Sequence, residues 1–580
     1  MRRLLIATFL ALGLAPAVAP AALARSSAAT SSATSPSAAT TGENPVPVSP
    51  SEIPPTGRHL SADRVLEIAN RLPKMRRARA KYRGSYGGAY LKGPGRWQVS
   101  YFSRQGKEIA QVIVADADGR VLEQWTGFQV AWTMARGYPG AFGRHVNALY
   151  IWLPLCVLFV VPFVDWRRPF SLAHLDLLAL LAFSVSLAFF NHGEIYASVP
   201  LAYPPLLYLL VRMLVRTFAR RPAARGLRSW IPARWLAVGV VFLLGFRIGL
   251  NVTDSNVIDV GYAGVIGAHR VVEGESLYGD YPSDNEHGDT YGPVNYEAYV
   301  PFERIFGWSG TWDDLPAAHA ASIVFDVLAV ALLLALGLRI RGPTLAAALA
   351  YAWVSYPFTL YALESNSNDI LVAVLLLAAL LCASSPPARG VFAAAAGLTK
   401  LAPLALAPVL ATHGLRELPY RKRPAAFALF IGAFAATAIV VSIPALPHDT
   451  LHEIYQRTFS YQANRGSPFS LWGLYGQAST VHGAQTVVEV GAVLLALLLA
   501  VVPRAPGIPA LAAACAAILI ALQLGVEHWF YLYIPWFFGL AMLALLGAGR
   551  PHERPTSAAP RDAASGSARS SPLAVAASSG

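Results

Sequence analysis

The sequence is poor in cysteine and in charged residues. Its 580 residues include 3 cysteines, Cys156, Cys382 and Cys515, and each lies within an apolar run. This placement excludes a disulfide framework and a cysteine-based metal site. Charged residues make up only 14% of the chain, whereas 55% is hydrophobic and the mean hydropathy is +0.45. Because a soluble domain could not hide so much apolar surface, the composition predicts a membrane protein.

Acidic residues are also scarce relative to basic ones, with 33 Asp and Glu against 46 Lys and Arg. In a soluble protein, a formal charge of +13 would indicate a nucleic-acid partner. Here the basic residues collect in short loops between apolar runs, where they act as topology signals. We therefore expect no nucleic-acid partner.

The two ends of the chain predict no catalytic role. Residues 1–24 combine Arg2 and Arg3, a short apolar run and an Ala-rich close, a pattern typical of a cleavable signal peptide. Residues 25–56 are rich in Ser, Ala, Thr and Pro and predict a disordered linker. The tail 551–580 has a similar composition and predicts a second disordered segment.

Residues 57–140 predict a small α+β domain outside the cytoplasm. Ser61 is placed to cap a helix that continues to about Tyr82. Strands are predicted over Arg96–Phe102, Lys107–Asp116 and the RVLEQW segment after Asp118-Gly119. With its W-x-V and G-x-V-L elements the segment resembles a PepSY-like module, while a simple spacer or protein-contact domain is the alternative.

The rest of the chain predicts about eleven transmembrane helices, each needing about 20 apolar residues. Three of them fall in 146–217, and the others belong to a core over 235–549. Predicted starts are Val146, Leu172, Leu201, Trp235, Ala318, Thr344, Asp369, Ala425, Thr486, Ile508 and Trp529. The basic loops place the N-terminal domain outside and the C-terminus in the cytoplasm. We expect a multi-pass protein of the plasma membrane.

One apolar segment, 390–411, conflicts with this topology. A full span there would carry the following basic loop, Arg416 to Arg423, to the outside. The segment contains Gly397, Lys400 and Pro403, which break a helix or burden it with charge. We therefore expect a broken or re-entrant hairpin that returns to the cytoplasmic side.

Motifs in the core are similar to those of the GT-C superfamily of membrane glycosyltransferases. They are D-x-x-Y (Asp259, Tyr262), G-x-x-x-Y (Gly274, Tyr278), Y-G-P (Tyr291–Pro293), N-D (Asn368, Asp369) and T-K-x-x-P (Thr399–Pro403). More narrowly, the chain resembles the bacterial polyprenyl-phosphate-mannose-dependent α-mannosyltransferases of glycosyltransferase family 87. The resemblance runs from about Trp235 to Phe538 and implies a GT-C-like polytopic α-helical fold.

The resemblance implies that the carboxylate in the first large outside loop is the catalytic base, and Asp259 occupies that position. The chemistry agrees, since a sugar hydroxyl needs a nearby proton acceptor when it attacks the anomeric carbon. A phosphate leaving group needs cations rather than an acid, so one carboxylate suffices for inversion. Asp254 is a rival base, and a helix-capping role for Asp259 is the structural alternative.

Basic residues near the membrane surface are candidates to bind the lipid phosphate. Arg465, beside Asn464 in the second large outside loop, ranks first because a guanidinium pairs bidentately with phosphate. Arg247 is a second candidate, although it could simply snorkel to the surface. Lys400 is a third, unless the hairpin places it too deep in the membrane.

Further substrate-binding candidates are the motif tyrosines Tyr262, Tyr278 and Tyr291 and the pair Glu527 and His528, which begin the last span. A shared hydrogen bond that closes the helix end is the structural alternative for Glu527 and His528. No standard metal site fits the spacing of His287 and Asp289, and a divalent cation there is left open.

The resemblance implies an inverting hexosyltransferase. Its donor would be a polyprenyl-phosphate-linked sugar, mannose by resemblance, and its acceptor an extracytoplasmic glycan or glycolipid, with no other cofactor expected. The alternatives are a transporter or flippase and a receptor or assembly subunit. The hydropathy shows no internal repeat, and the polar residues lie in outside loops rather than at mid-bilayer, which speaks against a transporter.

Overall fold

A computed structural model describes residues 45–137, 144–219, 227–313, 315–476 and 479–547. The predicted signal peptide, most of the predicted linker and the predicted tail lie outside the described residues. The described part is mostly helical, with a small antiparallel sheet near its N-terminal end.

The sheet has five strands in sequential order, counted within the described residues. They are Val46–Val48, Tyr86–Leu91, Arg96–Phe102, Glu108–Ala115 and Val121–Thr126. The last three match the predicted strands closely. The first lies inside the segment predicted as a linker, because the short Val-Pro-Val run pairs with Ala89–Leu91 at the sheet edge, where proline is tolerated.

Two helices, Ala62–Arg71 and Pro73–Lys81, cover this sheet where the sequence predicts one. Ser61 accepts a hydrogen bond from the Arg64 N–H and caps the first helix, as predicted. Pro73 separates the two because it has no N–H to continue the hydrogen-bond ladder. A single carboxylate, Asp116, then ties the domain together by accepting from the His59 and Leu60 N–H groups and from the Trp97 indole.

Seven helices of the described chain are long and apolar enough to cross a membrane. They are Leu172–Asn191, Ile195–Phe218, Ala233–Asp254, Pro316–Ile340, Tyr420–Ser442, Val481–Val501 and Ile508–Gly525. Leu149–Phe163, Asp369–Leu381 and Tyr531–Gly547 are apolar but shorter. Pro343–Ser355 and Pro357–Glu364 follow one another and are separated at Tyr356, since a residue before proline disfavours helical geometry. The chain is a multi-pass membrane protein. Its seven long apolar helices within the described residues are fewer than the roughly eleven spans predicted from the sequence.

Shorter helices connect and cover these segments. They are Phe128–Ala131, Asp259–Glu273, Pro293–Glu297, Val300–Phe306, Leu451–Tyr455, Tyr461–Asn464 and Leu471–Tyr475. Asp259–Glu273 follows the span Ala233–Asp254 and packs against Pro293–Glu297 and Val300–Phe306.

The segment predicted to be broken is a hairpin in the structure. A helix Pro386–Gly397 ends before Lys400, and a 3₁₀ turn Ala402–Leu406 leads into a second helix, Ala407–Thr412. Arg389, near the start of the first helix, donates to the carbonyl oxygens of Leu410 (2.8 Å) and His413 (2.9 Å). The two ends of the hairpin therefore lie together, and Lys400 lies at its tip.

Candidate active site

Asp259 is the first residue of the helix Asp259–Glu273, and Ile258 is its N-cap. The entry to this helix is anchored because the Ile258 N–H donates to the Ser365 carbonyl at 3.2 Å. Gly261 packs so closely that a Cβ there would lie 2.1 Å from the Asn366 carbonyl oxygen. Asp259 is thus held at a fixed place without being the helix cap.

Asp259 is exposed, and we refer to the space that it shares with Arg465 and Lys400, whose charges both act on its carboxyl, as the recess. The surrounding protein is dense enough that burial raises the pKa of this carboxyl above its ordinary value. Arg465, the Val260 N–H and Lys400 act in the opposite direction, while Asp369 reinforces the increase in the pKa. Asp259 therefore combines exposure to solvent with a dense protein environment.

Arg465 lies close enough to Asp259 for its charge to be the strongest influence opposing the burial. Its guanidinium carbon lies 5.4 Å from the centre of the Trp132 ring. Within the described residues Arg465 forms no salt bridge. An arginine that is half-buried and has no acidic partner is suited to bind an anion from solution.

Lys400, at the tip of the hairpin, pairs with Asp369, with 2.6 Å between the Lys400 Nζ and the Asp369 Oδ1. The Trp536 indole donates to the same oxygen at 2.9 Å. The ammonium lies 5.3 to 5.5 Å from the ring centres of Tyr291, Tyr533 and Trp536. Lys400 therefore reaches the recess, but its charge is already balanced by a buried carboxylate.

Tyr291 and Gly292 join the first large loop to the hairpin. The Tyr291 ring faces Lys400, and the pKa of Tyr291 is raised well above its ordinary value by burial and then by the Asp259 charge. A Cβ on Gly292 would lie 2.0 Å from the Leu398 carbonyl oxygen. The Y-G-P motif therefore seats the loop directly on the hairpin tip, and only glycine fits there.

Gly292→Ala tests this close contact. The added methyl group would collide with backbone, so the loop and the hairpin tip must move apart. We expect the transfer activity that the resemblance implies to fall by about 10²-fold, the cost of a displacement of about 1 Å. An assay of that activity with purified protein in detergent checks it. Gly274→Ala is the control, since no atom lies within 4 Å of its Cβ position, although its φ of +72° adds strain. An activity of Gly292→Ala at or above that of Gly274→Ala would contradict the prediction.

His528 and Glu527 contact the second large loop. The His528 Nδ1 lies 2.9 Å from the Ser467 Oγ, and the Glu527 Oε1 accepts from the Ser467 N–H at 3.4 Å. Burial, then the charges of Arg465 and Lys400, keep the pKa of His528 well below its ordinary value, so the imidazole is neutral. His528 borders the recess, and Glu527 supports the loop that carries Arg465.

Two candidates lie away from the recess. Asp254 accepts from the His145 N–H and contacts its ring Nδ1 at 2.5 Å. This contact links the turn before the helix Leu149–Phe163 to the end of the span Ala233–Asp254. Arg247 is fully buried, and its guanidinium pairs with Asp326 at 2.6 and 2.9 Å. The ion pair favours a structural role for Arg247 over snorkelling or phosphate binding.

The remaining candidates serve mainly in packing. Tyr262 is buried, and its ring stacks on Trp312 at 5.0 Å. The Tyr278 hydroxyl donates to the Tyr291 carbonyl at 3.1 Å and so supports the Y-G-P turn. Asn464 donates to the Ser460 carbonyl at 2.8 Å within its own helix.

The His287 and Asp289 pair is used by neighbouring loops. The His287 ring lies 4.7 Å from that of Tyr461. Asp289 accepts from the Gly279 N–H at 2.8 Å and lies 3.3 Å from an Arg457 nitrogen. Among the described residues no group of three or more His, Cys, Asp or Glu side chains is arranged to hold a metal ion.

Three further residues line the recess and were not candidates from sequence: Asp369, Tyr533 and Trp132. Asp369 belongs to the N-D motif, which indicates its place in the sequence but predicts no role for it. Tyr533 lies in the aromatic run after His528. Nothing in the sequence singles out Trp132, which precedes Asp259 by more than a hundred residues.

Comparison with known families agrees with this geometry. Residues 290–526 match the family model of glycosyltransferase family 87. The resemblance to glycosyltransferase family 87 is confirmed. The matched region contains Tyr291, Lys400 and Arg465, while Asp259 precedes it and His528 follows it. Family 87 implies a glycosyltransferase. A comparison with curated proteins finds no match.

Proposed function

We propose that the protein transfers a hexose from a polyprenyl-phosphate-linked donor to a hydroxyl group of an extracytoplasmic glycan or glycolipid. The resemblance suggests mannose as the sugar. One observation carries the proposal: the exposed Asp259 carboxylate, just after the span Ala233–Asp254, lies near enough to Arg465 for the guanidinium charge to lower its pKa, and Arg465 forms no salt bridge among the described residues. A proton acceptor and an anion site next to each other are what glycosyl transfer from a phosphate carrier requires.

The reaction is a single displacement. The acceptor hydroxyl oxygen bonds to the anomeric carbon while the bond from that carbon to the phosphate oxygen breaks. The hydroxyl proton passes to the Asp259 carboxylate, and the electron pair leaves with the polyprenyl phosphate. Attack opposite to the leaving group inverts the anomeric configuration, and no second carboxylate is needed because phosphate leaves without protonation.

The two cations divide the work on the phosphate. Arg465 has no acidic partner among the described residues, so its N–H donors are free to bind two phosphate oxygens. Lys400 is paired with Asp369, so its charge is largely balanced, and it holds the tip of the hairpin in place. We therefore assign direct phosphate binding to Arg465 and a supporting role to Lys400.

The arrangement of charge supports an extracytoplasmic site. Arg339, Arg389 and Arg416 all lie at helix ends and bond to backbone carbonyls of Leu381, Leu410 and Val501. Arg389 lies at the base of the hairpin and Lys400 at its tip. The hairpin therefore separates the end of the protein that carries these arginines from the recess. Basic loops are retained in the cytoplasm, which would place the recess outside.

A transporter or flippase is disfavoured by how the charges within the bundle are used. Arg247 pairs with Asp326 and Arg212 with Asp176, so these buried groups satisfy each other instead of lining a passage. Flux of a labelled solute into vesicles that contain only this protein would favour the transporter. Absence of flux together with transfer of sugar from a polyprenyl-phosphate donor is the expected result.

The pH dependence of transfer tests the Asp259 environment. A base acts only when deprotonated, so kcat/KM should fall as pH falls through the raised pKa of Asp259, above the ordinary value of about 3.9. The Arg465 charge lowers this pKa, so Arg465→Gln should move the acid limb to higher pH besides weakening donor binding.

The control for that profile is Arg465→Lys, which keeps the positive charge and should leave the midpoint of the acid limb close to wild type. The measurement is kcat/KM for the donor between pH 4 and pH 9, ~5 units that bracket ordinary and raised carboxyl values. An unshifted acid limb in Arg465→Gln would show that the titrating group is not next to Arg465.

A further inference from the structure

The segment that leaves the N-terminal domain, residues 128–136, is fixed against the bundle. Arg136 donates to the carbonyl oxygens of Gln129 (2.8 Å) and Val130 (3.1 Å) and so closes the segment into a compact loop. The Gln129 side chain donates to the Gly193 carbonyl at 3.4 Å. The Gly137 and Gly193 backbones are so close that a Cβ on Gly137 would lie 2.1 Å from the Gly193 nitrogen. The loop is therefore held on the turn between two spans.

This loop places Trp132 at the rim of the recess. The half-buried indole stacks on His528, with 5.8 Å between ring centres and 29° between planes, and meets Phe469 edge to face at 5.3 Å. The Arg465 guanidinium carbon lies 5.4 Å from the Trp132 ring centre. Trp132 therefore links the anion-binding arginine to the histidine at the start of the last span.

The Trp132 ring restricts the Arg465 head group through its aromatic face. Arg465 forms no salt bridge within the described residues, and a free arginine samples many rotamers, so an aromatic face restricts it before the ligand arrives. The neighbouring His528 is neutral, because its pKa is held well below the ordinary value by burial and by the Arg465 and Lys400 charges. The imidazole therefore supports the indole without repelling the guanidinium strongly.

We propose that Trp132 is a positioning residue that orients Arg465 to bind the phosphate of the polyprenyl carrier, so that the N-terminal region is part of the catalytic unit. This inference rests on the proposed function. It goes beyond the family match, which begins at residue 290 and includes Arg465 but not Trp132. The N-terminal domain then has a second role besides spacing, because it fixes one wall of the phosphate site.

Binding of polyprenyl phosphate to the purified full-length protein tests the inference directly. We expect Trp132→Ala and Trp132→Leu to raise the Kd by about 2- to 30-fold, the range of a cation–π contact, and Trp132→Phe to recover most of the affinity. Arg465→Ala should weaken binding more. In the Arg465→Ala background, Trp132→Ala should have no further effect, because its influence passes through Arg465.

Trp230→Ala is the matched control for losing an indole, since Trp230 is exposed and its Nε1 donates to the Val161 carbonyl. It should bind as wild type does. The inference would be overturned if Trp132→Ala raised the Kd by the same factor in the wild-type and the Arg465→Ala backgrounds. Wild-type binding by Trp132→Ala would overturn it too. If Trp132→Ala does not fold, the contrast between Trp132→Leu and Trp132→Phe decides in the same way.

Kinetics separate this inference from the proposed function. Trp132→Ala should raise the KM for the donor while kcat and the KM for the acceptor change little. Asp259→Asn should lose transfer but bind polyprenyl phosphate. Suppose that Trp132→Ala has no effect on binding in the Arg465→Ala background, but Asp259→Asn transfers sugar normally. The base assignment is then rejected, while the role of Trp132 stands. Loss of transfer in Asp259→Asn without coupling between Trp132 and Arg465 would reject the inference alone.

Discussion

Asp259→Asn abolishes most sugar transfer: we expect kcat/KM to fall by about 10²- to 10⁴-fold, the range that a positioned general base contributes. The substitution keeps the size of the side chain, replaces one acceptor oxygen by an NH₂ donor, and removes its ability to accept the acceptor's proton. Because Asp259 is exposed in the recess and is not the helix cap, the folded state should be little affected. Transfer from a polyprenyl-phosphate-linked hexose in membranes and in purified protein is the measurement.

Asp254→Asn is the matched control, an aspartate five positions earlier on the same stretch of chain. Its carboxylate already accepts from the His145 N–H and contacts the His145 ring, away from the recess. We expect transfer within a few-fold of wild type and a somewhat lower unfolding temperature. The reverse pattern, with Asp254→Asn inactive and Asp259→Asn active, would identify Asp254 as the base.

Neutralising Asp259 also removes its attraction to nearby cations, so binding of polyprenyl phosphate gives a second readout. Arg465 and Lys400 both stabilise the ionised carboxylate. In Asp259→Asn these cations lose a negative neighbour, so binding of polyprenyl phosphate should be equal to or tighter than in wild type. Weaker binding together with lost transfer would indicate a disturbed recess instead of a missing base.

The membrane character could be predicted from the sequence because the bilayer imposes a length on every apolar helix. The starts predicted near Leu172, Trp235 and Ile508 agree with the helix bounds within a few residues. The break near Gly397 and Pro403 was also predictable, since both residues interrupt helices locally. Two strands of the sheet were missed. Val-Pro-Val is too short to distinguish from a linker, and Tyr86–Leu91 contains two glycines, which are rare in strands.

The site was predicted only in part because its residues come from distant parts of the chain. Asp259 and Tyr291 share one loop and could be grouped by motif. Lys400 and Arg465 could be proposed singly, as cations near predicted membrane surfaces, but their approach to Asp259 depends on the packing of the hairpin and the second loop. The contact of Trp132 with Arg465 joins segments with no common pattern, and no rule of spacing predicts it.

For Arg247, too, the sequence could not reveal a contact with a distant residue. As an isolated cation near the end of a span it resembled a phosphate ligand, and its partner Asp326 lies 79 residues further along. The Trp353 indole also donates to Asp326 (2.8 Å), and the Arg247 guanidinium donates to the Thr359 hydroxyl oxygen (3.3 Å). Both charged side chains are buried, with exposures of 0% and 1%.

Arg247→Ala should therefore destabilise the protein strongly, by about 3–5 kcal/mol, because it leaves the Asp326 carboxylate buried without a partner. Asp326→Ala should cost a similar amount by leaving the guanidinium unpaired. Thermal unfolding in detergent, followed by circular dichroism and by the monodisperse fraction, checks the prediction. Glu67→Ala, which breaks an exposed pair with Arg64, should leave the unfolding temperature unchanged.

Replacing the whole network distinguishes structure from phosphate binding. Arg247→Met, Asp326→Leu and Trp353→Phe together remove the charges and the indole donor while keeping apolar volume, and such exchanges of a buried ion pair are often neutral or stabilising. We expect the triple variant to fold and to keep donor affinity and transfer, since Arg465 rather than Arg247 binds the phosphate. A well-folded triple variant that no longer binds polyprenyl phosphate would return Arg247 to the donor site and would require the Arg247–Asp326 pair to open when the lipid arrives.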